Sequence, residues 1–155
     1  MIDRIVSGGQ TGANIGGLEA AERLNLPTGG WIPKGWRTED GPKPELKRLG
    51  LKETRTSEYR VRTYFNVEEA DGTIWFGSTT SPEYECTAAA ATSMRKPFLV
   101  FSFPCGRFAT PKDFRTLRNW ITACNVRVLN VAGHRESKCP GIANAVSTFL
   151  CWSLA

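Results

Sequence analysis

Short apolar runs alternate with stretches of helical period along most of the chain, and no other pattern in it restricts the fold so tightly. Ile2 to Val6 reads as a first strand, Gly72 to Phe76 as a second, Pro97 to Phe103 as a third and Val126 to Ala132 as a fourth. Pro97-Phe-Leu-Val-Phe is almost continuously apolar, which predicts a central parallel strand covered on both faces. Helix signals lie between the strands. Ile15, Leu18, Ala21 and Leu24 recur at helical spacing behind a glycine-rich turn. Ser81-Pro82 and Thr110-Pro111 each join an N-cap residue to a first-turn proline, and Phe114, Leu117 and Ile121 then mark a buried stripe. Pro140 opens a last helix with Ile142, Val146 and Phe149 turned inward. This order predicts an α/β fold, a Rossmann-like open and mostly parallel sheet with helices on both faces, in a single ligand-binding domain over residues 1–155. The stretch from Pro27 to Ser57 reads as an insertion rich in Gly, Pro and charge, with one weak strand around Leu49 to Lys52.

Composition closes off other classes. With 155 residues, 41% of them hydrophobic, the chain can bury a full core without metal or disulfide staples. No run approaches the roughly 18 apolar residues of a membrane span, and the N-terminus lacks the order of a signal peptide, so a cytoplasmic protein with no membrane partner is expected. Cys86, Cys105, Cys124, Cys139 and Cys151 are scattered singly, which predicts reduced structural thiols rather than a zinc knuckle or a disulfide framework. Nine of the twenty Lys and Arg fall between Lys34 and Arg62 against five acids, so this segment carries nearly all of the net charge of +5. Such a segment suits either a solvated surface or the phosphate-attracting wall of a cleft.

In an open parallel sheet, ligands sit beyond the carboxyl ends of the strands, and four polar clusters fall there. Ser7-Gly8-Gly9-Gln10-Thr11-Gly12-Ala13-Asn14 leads from the first strand into a helix, where glycines and free N–H groups favour a phosphate or carboxylate. Thr28-Gly-Gly30-Trp31-Ile-Pro-Lys34-Gly-Trp36-Arg37 has the make-up of a binding loop: Lys34 and Arg37 could hold an anion and a tryptophan could stack on a ring, although each tryptophan alone could equally pin the insertion to the body. If residues 57–70 are helical, Arg62 and Asn66 lie four apart and point into one site. Asn130-Val-Ala-Gly133-His134-Arg135-Glu-Ser137 ends the last strand, and Arg135 and Ser137 could complete an anion pocket. His134, the single histidine, has no nucleophile or carboxylate paired with it by spacing and reads as an exposed loop residue. No metal-ligand spacing is present.

Gly8-Gly-Gln-Thr-Gly12, Thr28-Gly-Gly-Trp31, Pro33-Lys-Gly35, Glu39-Asp-Gly-Pro42, Tyr59 with Arg62-Thr63 and Asn66, and Leu129-Asn-Val-Ala-Gly133 with Arg135-Glu-Ser137 and Pro140-Gly141 together resemble the "putative molybdenum carrier" family. The resemblance spans nearly the whole chain. It implies a Rossmann-like superfamily that also holds the lonely guy phosphoribohydrolases and the DprA DNA-processing proteins, and it implies a homo-oligomer. Where it implies Val-Asp after Gly12, this chain has Ala13-Asn14, one carboxylate fewer at the pocket mouth. Where it implies Gly-Gly-Thr before a helix, this chain has Pro82-Glu83-Tyr84, and Thr87 stands where the lonely guy motif has its glutamate.

The function expected is non-enzymatic: a carrier of molybdenum cofactor or a sensor of a nucleotide derivative, binding a small phosphate-bearing ligand through Gly8, Gly9, Gln10, Thr11, Gly12, Asn14, Gly30, Trp31, Lys34, Arg37, Arg62, Asn66, Gly133, Arg135 and Ser137. In this reading Gly9, Thr11 and Gly12 cradle the phosphate and Trp31 lines the ring site. The alternative is a nucleotide N-glycosidase using Glu83 or Glu85. Single-stranded nucleic-acid binding ranks last, because no basic stripe with interleaved aromatics lies outside residues 31–65.

Overall fold

The computed structural model describes residues 1–155. Its elements are β1 (Arg4–Ser7), α1 (Ala13–Arg23), β2 (Thr28–Ile32), β3 (Arg37–Thr38), β4 (Gly41–Pro42), a 3-10 turn over Pro44–Leu49, β5 (Leu51–Glu53), α2 (Tyr59–Glu69), β6 (Gly72–Phe76), α3 (Pro82–Ser93), β7 (Phe98–Phe101), α4 (Pro111–Ala123), β8 (Val128–Gly133) and α5 (Ile142–Leu154). Six strands form one parallel sheet in the order β5-β2-β1-β8-β6-β7, and β3 and β4 pair separately as a short antiparallel hairpin. No helix is long and apolar enough to cross a membrane.

The chain builds outward from β1 to β2 and β5, restarts at β6 and β7, and returns with β8 to fill the gap between the two halves. Such a reversal of strand order opens a crevice at the carboxyl ends of the strands involved. Register places those ends side by side, with Ser7 opposite Val131 and Phe76 opposite Gly133.

Two strand expectations need correction. The run at Pro97 to Phe103 forms β7 at the sheet edge, not at its centre, and β7 pairs with β6 alone. Its apolar character comes from aromatic packing, Phe101 against Phe76 at 5.8 Å and Phe98 against Tyr84 at 6.0 Å. The supposed insertion also supplies a true interior strand: β2, Thr28-Gly-Gly-Trp-Ile, lies between β1 and β5.

The main core joins the inward side chains of β1, β6, β7 and β8 to α1, α4 and α5. A smaller cluster under the opposite helices holds Val67, Ala90 and Ala91. The helix starts follow their sequence signals. Ser81 Oγ accepts from the Tyr84 N–H at 3.2 Å, and Thr110 and Asp113 form a reciprocal capping box. The last helix begins at Ile142, two residues after Pro140. Arg107 grips the Asp113 carboxylate with two hydrogen bonds of 2.8 and 3.0 Å. The Arg107 bonds, with help from the Thr110 N–H and hydroxyl, outweigh burial and hold Asp113 at about 2. Asp113→Ala is therefore expected to lower stability by about 1–2 kcal/mol at neutral pH in urea denaturation. Because the folded value lies below the unfolded one of 3.8, the difference from wild type is present above pH 4 and fades as pH falls through about 2.

The expectation of five reduced thiols is also corrected. Cys105, in the loop after β7, is disulfide-bonded to Cys139, just before α5, with Cα atoms 6.1 Å apart. The loops after β7 and β8 converge there, although 34 residues separate the two cysteines in sequence, so spacing alone carries no signal of the pairing. Cys86, Cys124 and Cys151 are free thiols.

Candidate functional site

A cavity of about 240 Å³ opens where the strand order reverses, walled by the loops after β1 and β8, by Trp75 of β6 and the end of β8, and by one face each of α2 and α3. Its lining includes Gly8, Gln10, Asn14, Arg62, Asn66, Gly133 and Arg135, so seven of the residues expected from sequence meet here. Sequence reasoning missed Arg60, Cys86 and Lys138 as parts of this wall. Tyr59 and Thr63 complete the α2 face.

Arg62 reaches from α2 across the sheet edge to Gly8. Its Nη1 donates to the Gly8 carbonyl at 2.8 Å and to Asn14 Oδ1 at 3.1 Å. A Cβ on Gly8 would stand 2.0 Å from Arg62 Nη1, so glycine at this position is what lets the guanidinium lie flat on the turn. Asn14 is fixed in turn: its Nδ2 donates to the Val131 carbonyl at 3.0 Å, and its Oδ1 also accepts the Gln10 N–H at 3.2 Å. Neither acceptor of Arg62 is a carboxylate. Burial, reinforced by the nearby Arg135 charge, pulls Arg62 down to about 10 although Tyr59 opposes the shift.

Tyr59 gathers the cations. Arg37, Arg62 and Arg135 lie over its ring with guanidinium carbons 4.4, 5.3 and 5.6 Å from the centroid. Glu83 is the one carboxylate in the lining, against Arg60, Arg62, Arg135 and Lys138. It accepts from Arg135 Nη2 and from Lys138 Nζ, each at 3.3 Å. Burial would raise Glu83, but its own backbone N–H, Lys138 and Arg135 together keep it below the ordinary carboxylate range, so it is ionised at neutral pH. Glu85 is exposed and lies outside the cavity. Thr87 does line the cavity, and its hydroxyl donates to the Glu83 carbonyl at 2.9 Å.

His134 is buried at 7% exposure, contrary to the exposed loop residue expected. Its ring packs edge-on against Trp75, and its Nε2 accepts the Ser78 N–H at 3.1 Å with Ser78 Oγ at 2.9 Å. That backbone donor leaves the ring proton on Nδ1, and burial with the Lys138 charge pushes His134 below its usual value, so the imidazole is neutral. Burial likewise pushes the half-buried Cys86 thiol up. No group of three or more His, Cys, Asp or Glu is gathered to hold a metal ion.

The other sequence candidates are placed elsewhere. Gly9, Thr11 and Gly12 border a second cavity on the far side of the first loop. Gly12 has φ +80, and a Cβ there would meet the His134 carbonyl oxygen at 2.4 Å. The loop after β8 therefore lies directly on the start of α1, where the Ala13 N–H donates to that same carbonyl at 3.0 Å. Thr11 and Ser137 donate their hydroxyls to the Glu39 carboxylate, which also accepts the Ser137 N–H at 3.2 Å. These bonds hold Glu39 below its ordinary range against the opposing effect of burial. Gly30 sits in β2 against the Ser7 backbone. The Trp31 indole donates to Glu69 Oε2 at 2.9 Å and packs on Phe65 at 5.2 Å, while Asn66 clamps the Trp31 backbone with bonds of 2.8 and 3.0 Å. Trp31 thus ties α2 to β2. Lys34 is exposed, and Arg37 donates to the Ser57 carbonyl at 2.8 Å.

Residues 5–154 match the model of the circularly permutated YpsA SLOG family. The chain belongs to the circularly permutated YpsA SLOG family. A solved structure described as a putative molybdenum carrier protein from Syntrophus aciditrophicus SB is similar to this member of the family throughout, with a TM-score of 0.90 and 35% identity over 99% of this chain and 96% of that one. None of the curated proteins matches it. The family assignment and the resemblance drawn from the sequence motifs agree, and the fold is shared along its whole length.

Proposed function

We propose that this protein is a non-enzymatic binding protein that holds a small phosphate-bearing ligand, a nucleotide derivative or a pterin cofactor carrying molybdenum, in the cavity at the carboxyl edge of its sheet. The observation that carries this reading is Arg62, a partly buried guanidinium whose only hydrogen-bond acceptors are a backbone carbonyl and an amide, in a wall with four cations and one carboxylate. A partly buried charge that no carboxylate hydrogen-bonds is incompletely compensated, and an anionic ligand supplies the missing partner. At about 240 Å³ the cavity falls just below the usual range of ligand sites, about 300–1,000 Å³, so it suits the head of a ligand rather than a whole dinucleotide. Molybdenum would enter as cargo, held by the cofactor's own atoms or as the molybdate oxyanion, since the residues here suit an anion and not a bare cation. The similar solved structure is described as a putative molybdenum carrier protein, which supports a small-ligand cargo of that kind. A homo-oligomer belongs to this proposal and rests on the motif resemblance, and the cytoplasmic location expected from the sequence patterning belongs to it as well.

An N-glycosidase needs a free carboxylate beside the bond it cleaves. Glu83 is engaged by Arg135 and Lys138, and Thr87 stands where the lonely guy glutamate would be. The test is a thermal-shift screen against nucleoside monophosphates, pterin phosphates and molybdate. A ligand at a hundred times its dissociation constant adds about 2.7 kcal/mol, or several degrees of Tm in a domain of this size. We expect one anionic class to produce that shift, Arg135→Ala to lose most of it while remaining folded, and no base to be released. Base release from a nucleoside monophosphate, abolished in Glu83→Gln, would overturn the non-enzymatic reading. Tight single-stranded DNA binding with steep salt dependence would replace the small ligand by nucleic acid.

A further inference from the structure

The disulfide between Cys105 and Cys139 joins two loops that meet at the carboxyl edge of the sheet, and one of them carries part of the cavity wall. Arg135 and Lys138 line the cavity, and the turn that bears them ends at Cys139. The Arg135 carbonyl accepts the Lys138 N–H at 3.1 Å and the Cys139 N–H at 3.3 Å, and the Cys139 carbonyl accepts the Ile142 N–H at 3.0 Å where α5 begins. Cys139 therefore closes the turn. Ser137 ties it to Glu39 on the β3–β4 side. Toward α3 its ties are the ion pairs of Arg135 and Lys138 with Glu83, each 3.3 Å long and partly exposed, which hold little. Toward the loop after β7 the tie is covalent.

The two cysteines differ in access. Cys139 is 8% exposed and packs in the main core, whereas Cys105 is half-buried in the loop that runs on to the exposed Phe108. A Cβ on Gly106, next to Cys105, would meet nothing within 4 Å, so a small thiol reaches that side of the bridge. The Cα separation of 6.1 Å is within the range a disulfide spans, so the bond opens and closes without a large movement of either loop. Lys138, beside Cys139 in the chain, favours the thiolate that opening releases. Cys86, Cys124 and Cys151 are unpaired, which leaves one redox pair in the molecule. In the reducing cytoplasm that belongs to the proposed function, a disulfide is usually transient and redox-sensing rather than a permanent staple.

We propose that Cys105 and Cys139 are a reversible redox site that sets the cavity's affinity for its anion. Oxidised, the pair clamps the turn of Arg135 and Lys138 to the loop after β7, and reduced, it leaves the turn to its weaker ties. The co-reactant is a dithiol. One of its thiolates attacks Cys105 Sγ, the S–S bond breaks, and its electron pair stays on Cys139 Sγ, which takes up a proton. The second thiolate then attacks the dithiol's own sulfur in the mixed disulfide and expels Cys105 Sγ, which is protonated in turn. The dithiol ends as a disulfide, and its electron pair and protons end on the two cysteines. An oxidised dithiol reverses the sequence. The effect on affinity rests on the anion-binding reading, whereas the reduction of the pair and the release of the turn stand without it.

Protein equilibrated with oxidised glutathione, then denatured and treated with N-ethylmaleimide, should take up three labels by intact mass. After incubation of the folded protein with dithiothreitol and an acid quench it should take up five. Hydrogen exchange should show residues 135–143 exchanging about fivefold faster or more in the reduced protein, with β1 unchanged. Calorimetric affinity for inorganic phosphate should fall about fivefold on reduction and recover on reoxidation. Cys105→Ser should behave as reduced protein with or without dithiothreitol, and Cys124→Ser should respond as wild type does. Five labels in the oxidised protein, or three after dithiothreitol, would overturn the redox site. Unchanged exchange over residues 135–143 would overturn the clamp, and faster exchange with unchanged phosphate affinity would overturn its control of the cavity. Wild-type protein that binds no phosphate in either state defeats the anion reading, and the label counts and exchange rates still judge the pair.

Discussion

Replacing Phe76 by alanine is expected to destabilise the protein by about 3–5 kcal/mol, the range for removing a fully buried aromatic ring from a packed core. Phe76 has no exposed surface, and its ring meets those of Phe101, Phe103 and Phe149 at 5.8, 5.6 and 5.9 Å. These rings come from β6, β7, the loop after β7 and α5, so no single segment can shift to fill the void. The loss has two parts, the transfer of the ring from water and the unfilled cavity, and the sheet backbone limits collapse. The Phe76 carbonyl also accepts the His134 N–H at 3.0 Å, so the same position joins the core to the loop that carries Arg135. Thermal unfolding should show a Tm lower by about 10 °C. Phe108, 90% exposed, is the control, and Phe108→Ala should stay within about 0.5 kcal/mol of wild type. A loss below 1 kcal/mol for Phe76→Ala would mean that the four rings do not form one core.

Much of this frame is legible in the sequence, and the exceptions have physical causes. β6 falls on Gly72 to Phe76 as read, because five consecutive buried residues in a parallel strand leave no ambiguity of period. β2 is hidden because Thr28-Gly-Gly-Trp has the composition of a loop. In the structure its glycines make room for neighbours: a Cβ on Gly29 would meet the Arg4 guanidinium at 2.0 Å, and Arg4 in turn pairs with Glu69 at 2.7 Å. The edge position of β7 is invisible locally, since aromatic packing makes an edge strand as apolar as a central one.

The site divides in the same way. Arg62 and Asn66 reach it through a helical spacing visible in advance, and Tyr59 and Thr63 share that spacing, so the α2 wall has a sequence signature at i, i+3, i+4 and i+7. The first glycine-rich loop is legible as a polar turn, but not the way its residues part. Gly8, Gln10 and Asn14 face one cavity while Gly9, Thr11 and Gly12 face another, along a loop with positive φ at both Gly9 and Gly12. The burial of His134 depends on Trp75 and Ser78, more than fifty residues away, and no local pattern reports that.

The largest functional effect is expected at Arg62. Removing the charged partner of a desolvated anion costs about 2–5 kcal/mol, so Arg62→Met should weaken phosphate or nucleotide binding by about 30-fold to several-thousand-fold. Arg62→Lys keeps a charge but not the fork that engages Gly8 and Asn14, so it should recover only part of the loss. Stability should move the other way or not at all, because the methionine removes a partly buried charge that no carboxylate hydrogen-bonds. Proton linkage separates this account from simple damage to the cavity. Burial holds Arg62 at about 10 in the folded protein, well below a free guanidinium, so its charge opposes folding near neutral pH and that opposition is relieved as pH rises past about 10. The same deprotonation removes the anion's partner. Wild-type affinity should therefore fall as pH passes about 10, while Arg62→Met shows no such phase from this position and its stability relative to wild type declines over the same interval. Equal affinity of Arg62→Met and wild type at pH 7 would remove the guanidinium from the ligand's environment and, with it, the physical basis for an anionic ligand.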